Sequence, residues 1–329
     1  MYEKDEYFYR KIFRDICLGY TKSTFKDQVL YVKHLHANDY IEISEKEESF
    51  LQKAKDRGIP TEEKALSDAI ENELWTEKDE DFISSQEIFV ENLVKTKSNL
   101  NLKSERDAHQ KIIDEESLKL NKKLAEKSQI LGNTAEAYST KQVNDFFIVN
   151  SFYKNQDLKE KFLTNDLFDE LSYSEIKELT EINNSVAKSL STDNIQKMIL
   201  EEFFFPFMYV AEGPMEFYGK PASVLTNNQL TVLTYSRIFK NIFDNNQDIP
   251  EKIRKNPEAL LDFSSNSKNR EKMKSHLDKD GASTVFGATA EDYEYMGVQP
   301  TSGKSAISLT EAAKKKGGSL NMQDLMNMT

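Results

Sequence analysis

Two histidines placed two residues apart, His34 and His36, are the first side chains along this sequence whose type and spacing could do chemistry. On an extended strand, residues i and i+2 point to the same side, so the pair could offer two imidazole nitrogens to zinc or another transition metal. A third ligand is needed. Asp39 and Glu42 are near in sequence but nothing fixes them there, and strand histidines facing solvent or a polar interface are the commoner arrangement, so no metal ligand is assigned. The stretch Gly297-Val-Gln-Pro-Thr-Ser-Gly303-Lys304-Ser305 has the parts of a phosphate loop, in which a glycine turn aims backbone amides at phosphate oxygens. Its spacing excludes that chemistry: five residues separate the glycines where four are required, and one of them is Pro300. Asp278-Lys279-Asp280-Gly281 begins like a calcium loop, but its glycine is fourth rather than sixth and no closing glutamate follows, so it reads as a turn. Cys17, the single cysteine, excludes a disulfide framework and a cysteine-cluster metal site. Between Ile16 and Leu18 on an apolar helical face, it is expected to be a buried, inert thiol. No serine sits on a glycine elbow, and carboxylate pairs such as Glu201 with Glu202 arise by chance among 56 acids. The sequence therefore assigns no catalytic residue and no cofactor.

The most informative cluster is apolar. Glu201-Glu202-Phe203-Phe204-Phe205-Pro206-Phe207-Met208-Tyr209-Val210 is followed by Gly213-Pro214 and by Phe217-Tyr218-Gly219-Lys220-Pro221. Consecutive helical residues are turned by ~100°, so these rings cannot share one inward stripe, and some must meet another element or another chain. One reading is a buried helix end and the turn after it. The other is the wall of a docking pocket in which Phe203, Phe204, Phe207, Tyr209, Phe217 and Tyr218 receive a partner's apolar segment.

The elements that must position these groups are mainly helical. A helix over residues 5 to 20 carries Tyr7, Phe8, Ile12, Phe13 and Ile16 at spacings of three and four and ends at Gly19. Gln28 to His36 alternates as a β segment, and helices follow from about Ser44 to Arg57 and from Thr61 toward Trp75. Residues 77 to 130 hold no glycine or proline and place apolar groups sparsely at Phe82, Phe89, Leu93, Leu100, Leu102, Ile113, Leu120 and Leu124, which predicts an antiparallel coiled-coil hairpin projecting from the body, with its turn between Lys95 and Ser104. Thr134 caps a helix through Phe146 to Tyr153, Ser172 with Glu175 has capping-box spacing, Thr192 or Asp193 caps a run from Ile195 to Phe205, and Thr226 with Gln229 opens a further helix. The fold class is mainly α, with a short N-terminal β segment, the hairpin and an extended C-terminal tail, divided at 1–76, 77–131, 132–246 and 247–329.

Composition sets the partners. With 329 residues and 38.0 kDa the chain has length for about two domains of ~150 residues, yet only 38% is hydrophobic against 30% charged. The formal charge of −12 repels a phosphate backbone, which disfavours direct nucleic-acid binding. No run approaches the ~18 apolar residues of a membrane span, and the first residues lack the basic start and apolar run of a signal peptide, so the chain reads as cytoplasmic. From Gln247 onward there are 12 cations and 12 carboxylates with four aromatics, a composition that cannot offset much ordering entropy; that tail is expected to be extended or partly disordered, with short docking segments at Asn256 to Phe263, Val285 to Gly287 and Leu309 to Lys316.

The aromatic helix, Phe217-Tyr218-Gly219-Lys220-Pro221, and then Leu225-Thr226 with Gln229, Leu233 and Tyr235 resemble the helical assembly proteins of tailed bacteriophages, tail assembly chaperones in particular. Phe286-Gly287-Ala288-Thr289, Met296-Gly297 and Lys316-Gly317-Gly318-Ser319 are similar to the C-terminal tails of proteins from contractile-tailed phages. The resemblance implies a non-enzymatic morphogenesis protein in the host cytoplasm that binds other tail proteins, of the tape-measure type among them. A long hairpin departs from a compact chaperone, and this keeps a permanent virion part of the tail, baseplate or neck as the alternative. A homo-oligomer fits both. An enzyme or nucleotide-dependent regulator is the third class and fits the acidic body poorly.

Overall fold

The computed structural model of the chain describes residues 2–100, 103–210, 212–246, 249 and 251–265. It is mainly helical, with one small antiparallel sheet. The described residues fall into two compact units: residues 1–74 with 130–245, and residues 75–129 with those from 246 onward.

In the first unit, α1 (Tyr2–Leu18) buries Ile12 and Ile16 and stops at Gly19, whose φ of +78° only glycine adopts without strain. The Gly19 amide donates to the Asp15 and Ile16 carbonyls, closing the helix end. The chain then forms a hairpin of β1 (Tyr20–Phe25) and β2 (Gln28–Lys33), joined by Lys26 and Asp27, both at positive φ as a two-residue turn of matching twist requires. The sequence shows one β segment where the structure has two, because Lys22, Ser23 and Thr24 interrupt the apolar alternation of β1. α2 (Ala37–Asp56) begins well before the expected Ser44. His36 is its N-cap, and the Asp39 carboxylate accepts from the His36 amide at 2.8 Å, so the strand ends at Lys33. Thr61 caps α3 (Glu62–Glu71).

In the second unit, α4 (Glu77–Asn99) starts at a capping box of Thr76 and Asp79, and most of α5 (Lys103–Leu131) lies beside it. Contacts run in opposite directions along the two: Lys123 pairs with Asp79 at 2.7 Å, Gln86 Nε2 donates to Glu116 at 2.6 Å, His109 to the Leu93 carbonyl at 3.1 Å, and Lys97 to Gln110 at 2.8 Å. The pair is therefore antiparallel. Residues withdrawn from solvent recur at steps of three and four: Ile83, Gln86, Val90, Leu93 and Lys97 on α4, and Arg106, His109, Ile113, Glu116, Leu120, Lys123 and Lys127 on α5. Phe82, Phe89 and Leu124, which the sequence suggested for this seam, are exposed.

The chain returns to the first unit with α6 (Ala135–Ser151), capped by Thr134. The helix ends earlier than expected, and Phe152–Tyr153 form β3, which pairs antiparallel with β2 through Val32 and Tyr31. Phe25, Leu30, Val32, Ile148, Val149, Phe152, Leu163, Phe168 and Leu179 make the core under the sheet, closed by α7 (Asn165–Asp169) and α8 (Tyr173–Ser189), the latter on its Ser172–Glu175 box. The expected helix from Ile195 to Phe205 is broken. α9 (Thr192–Ile199), capped by Ser191, gives way to a 3-10 turn at Glu202–Phe204, and α10 (Phe205–Val210) and α11 (Pro214–Tyr218) follow.

The long α12 (Asn227–Asn245) closes the unit. Its first turn is the Thr226–Gln229 box: the Thr226 amide donates to Gln229 Oε1 at 3.0 Å, while Gln229 Nε2 donates to the Ile16 carbonyl at 3.0 Å and to that of Cys17 at 3.3 Å. In the second unit, α13 (Glu251–Arg254) and α14 (Pro257–Ser265) follow, with Leu260 fully buried. α14 matches the segment expected at Asn256 to Phe263; the other two tail segments and the two glycine loops lie outside the described residues.

Gln229 is 2% exposed, so Gln229→Ala would strand a buried amide and the carbonyl ends of α1 together. The expected loss is ~2–4 kcal/mol of unfolding free energy in urea. A change under ~0.5 kcal/mol would show that this clasp is not structural.

Candidate functional site

The aromatic segment is organised by a ring from the other end of the sequence. Phe13 of α1 stands 5.2 Å from Phe204, 4.9 Å from Phe207, and 6.2 Å from each of Phe203 and Phe217, measured between ring centroids. Phe204 closes the cluster from within, 5.8 Å from Phe207 and 6.2 Å from Phe217. These separations and tilts are those of attractive edge-to-face and offset pairs. The helix break at Leu200–Phe204 makes the arrangement possible, because a continuous helix would have spread the rings around its circumference.

The rings divide by exposure. Phe204 is fully buried and Met208 nearly so, which removes Phe204 from the docking residues expected from sequence: it is core. Phe203 and Phe217 are half-buried, and Phe207 and Tyr209 remain 43% and 50% exposed. Phe205 turns away to meet Phe243 of α12 at 6.3 Å. Tyr218 packs at 4.6 Å from Phe217, with its hydroxyl buried and unpartnered; burial, with a smaller effect of Cys17, pushes its ionisation far upward, so it is a neutral phenol. Cations lie over the rim: the Arg10 guanidinium is 4.6 Å from the Phe203 centroid and the Lys240 ammonium 5.9 Å from that of Tyr209. The result is a half-exposed aromatic face with a cation at each edge, Arg10 being paired with Glu6 at 2.7 Å and Lys240 without an ion-pair partner among the described residues. Sequence reasoning missed Phe13 and Arg10, which lie almost two hundred residues before the rings they touch.

The polar candidates are brought together less well. His34 is buried, with Nε2 3.0 Å from Thr21 Oγ1, whereas His36 serves as the helix cap with Nδ1 3.4 Å from Asp39. The two rings therefore have different surroundings, and among the described residues no three His, Cys, Asp or Glu side chains converge as metal ligands. Cys17 is exposed, correcting the expectation of a buried thiol. Partial burial of its sulfur nonetheless pushes it up to about 11, which leaves it protonated and weakly nucleophilic at neutral pH. A cleft of about 130 Å³ opens between β2, α2 and α6, lined in part by Lys33, Asp39, Asn150, Ser151 and Lys161. These groups satisfy one another or the backbone: Lys33 pairs with Asp39 at 2.7 Å, Lys161 donates to Asn150, and Ser151 donates to the Phe147 carbonyl at 2.7 Å. No nucleophile with an adjacent base lies among them.

No family model matches the chain, and no curated protein or solved structure matches it either. No helix among the described residues is long and apolar enough to cross a membrane.

Burial, with a smaller contribution from His36, lowers His34 from 6.5 to about 4. As pH falls, the unfolded chain therefore takes up this proton first. The contribution of His34 to stability is complete above pH ~6.5 and is lost progressively down to pH ~4, by roughly 3 kcal/mol. Urea unfolding between pH 7 and 4 should show this slope, and His34→Gln should flatten it; an equally steep slope in the variant would assign the titration elsewhere.

Proposed function

We propose that this protein is a non-enzymatic morphogenesis protein of a tailed bacteriophage, an assembly chaperone or adaptor that holds an apolar helical segment of another tail protein. The observation that carries the reading is the face formed by Phe203, Phe207, Tyr209 and Phe217: aromatic rings left half-open to water, packed firmly enough to be preorganised, and edged by Arg10 and Lys240. Rigid rings lose little conformational entropy on docking, and Lys240, the edge cation without an ion-pair partner among the described residues, favours a client whose polar side is acidic. The likeness of the sequence to tail assembly chaperones supplies the setting, the host cytoplasm, and a client of the tape-measure type.

The alternative is a permanent part of the virion, and the α4–α5 pair favours it. Buried positions at alternating steps of three and four are the pattern of a coiled-coil hairpin, an element suited to lasting contacts between subunits. In this reading the C-terminal tail would thread along neighbouring subunits. Mass spectrometry of purified particles separates the two: the chaperone is absent from finished particles, and a structural part is present in fixed copy number.

The docking face is tested by Phe207→Ser combined with Tyr209→Ser. Because both rings are about half exposed, the thermal midpoint should barely move. Affinity for a synthetic amphipathic helix with leucines at i, i+3, i+4 and i+7 and glutamates on its polar side should fall about tenfold or more. Unchanged binding would overturn the docking role, and a stability loss of ~3 kcal/mol or more per ring would make these residues core.

A further inference from the structure

Leu118 of α5 is 73% exposed, the most exposed large aliphatic side chain among the described residues. It lies on the stripe of α5 turned away from α4, and its neighbours on that stripe, one turn before and after, are Asp114 and Lys122. Both are exposed, and neither has an ion-pair partner among the described residues; Asp114 accepts only the Gln110 amide at 2.7 Å. Over the whole helix, including the side chains that face α4, the charge also changes sign near Leu118. Residues 103–117 carry three cations and five carboxylates, net −2, and residues 118–131 carry four cations and one carboxylate, net +3.

We infer that α5 is self-complementary and joins two copies of this chain about a two-fold axis at Leu118. In an antiparallel α5 pair the residue n positions before Leu118 comes level with the residue n positions after it in the other copy. Leu118 then meets Leu118, and Asp114 comes level with Lys122 twice. Lys119, Lys123 and Lys127 already pair with Glu116, Asp79 and Glu80, so the complementarity rests on Asp114 and Lys122, which a parallel pairing would set like on like. A two-fold contact uses the same patch on both copies, as this symmetric arrangement of apolar and charged side chains requires. The other occupant within the chain would be residues 266–329, which hold nine cations and eight carboxylates, a net charge of only +1.

The test uses the full chain. Sedimentation velocity at micromolar concentration is expected to show a dimer that dissociates in part between 50 mM and 1 M salt. Lys122→Asp should shift the dimer constant by tenfold or more toward monomer, and adding Asp114→Lys should restore it. In a Cys17→Ser background, Leu118→Cys should form an intersubunit disulfide on mild oxidation, whereas Lys111→Cys, about 20 Å from its mate in this pairing at ~1.5 Å rise per residue, should not. A wild-type chain that stays monomeric at 100 µM overturns the inference. So does a dimer that cross-links through position 111 and not 118. Dimerisation gained only after truncation at Ser265 also overturns it and assigns the stripe to the C-terminal segment.

Discussion

One buried glutamine holds together parts of the chain that synthesis makes far apart. Gln229 sits 213 residues after Ile16, yet its side-chain amide closes the carbonyl end of α1 while its oxygen caps the amide of Thr226 at the start of α12. A helix leaves its last carbonyls and first amides without partners inside itself, and burying either set alone costs free energy. Here the open end of one helix lies against the open start of another, and a single side chain serves both. Around this clasp the backbone is joined a second time: the Asn227 amide donates to the Leu35 carbonyl at 3.0 Å, and His36 bridges to Thr226. The position of α1 against α12 sets where Phe13 stands, and Phe13 sets the aromatic face.

The sequence was most legible where a fold signal is local. Thr61, Thr134, Ser172 and Thr226 each precede a helix by one residue and accept from an amide three residues on, an interaction written within four consecutive residues, although at α9 the cap is Ser191 rather than Thr192 or Asp193. It was least legible where one residue type serves two purposes. His36 continued the alternation of β2 but caps α2, and Phe152 and Tyr153 continued the apolar run of α6 but pair with β2. A two-residue strand has no periodicity to read; only its partner defines it. The α4–α5 pair shows a related difficulty. Phe82 and Ile83 are adjacent, and ~100° of helical rotation decides which of them the neighbouring helix covers. Many of the side chains that do face inward on these two helices are polar or charged, among them Gln86, Arg106, Glu116 and Lys123, and hydrophobicity gave no signal for them.

The aromatic face was half visible. Its own segment names Phe203, Phe207, Tyr209 and Phe217, and the impossibility of burying consecutive rings on one stripe follows from helix geometry alone. That Phe204 would be the fully buried member depended on the break after Leu200, and that the rings would gather on Phe13 depended on the clasp at Gln229. Neither has a signature in the local sequence. The same holds for Cys17, whose apolar neighbours Ile16 and Leu18 point in different directions from it around α1, so that a residue between two apolar ones lies at the surface.

The wide separation of Ile16 from Gln229 also has a consequence in time. At synthesis rates of ~5–20 residues per second, α1 leaves the ribosome about 10–40 s before the residue that closes its end. Through that interval Ile12, Phe13 and Ile16 have none of the aromatic segment to cover them, and the β1–β2 hairpin waits for Phe152 to complete its sheet. The α4–α5 pair emerges meanwhile, held by ion pairs within its own segment such as Lys123–Asp79 and Lys127–Glu80, while Lys97 meets Glu258 of α14 only later. Nascent chains of this protein therefore carry α4 and α5 together while the first unit is unfinished, and the early apolar helix is the part that a ribosome-associated factor would need to shield.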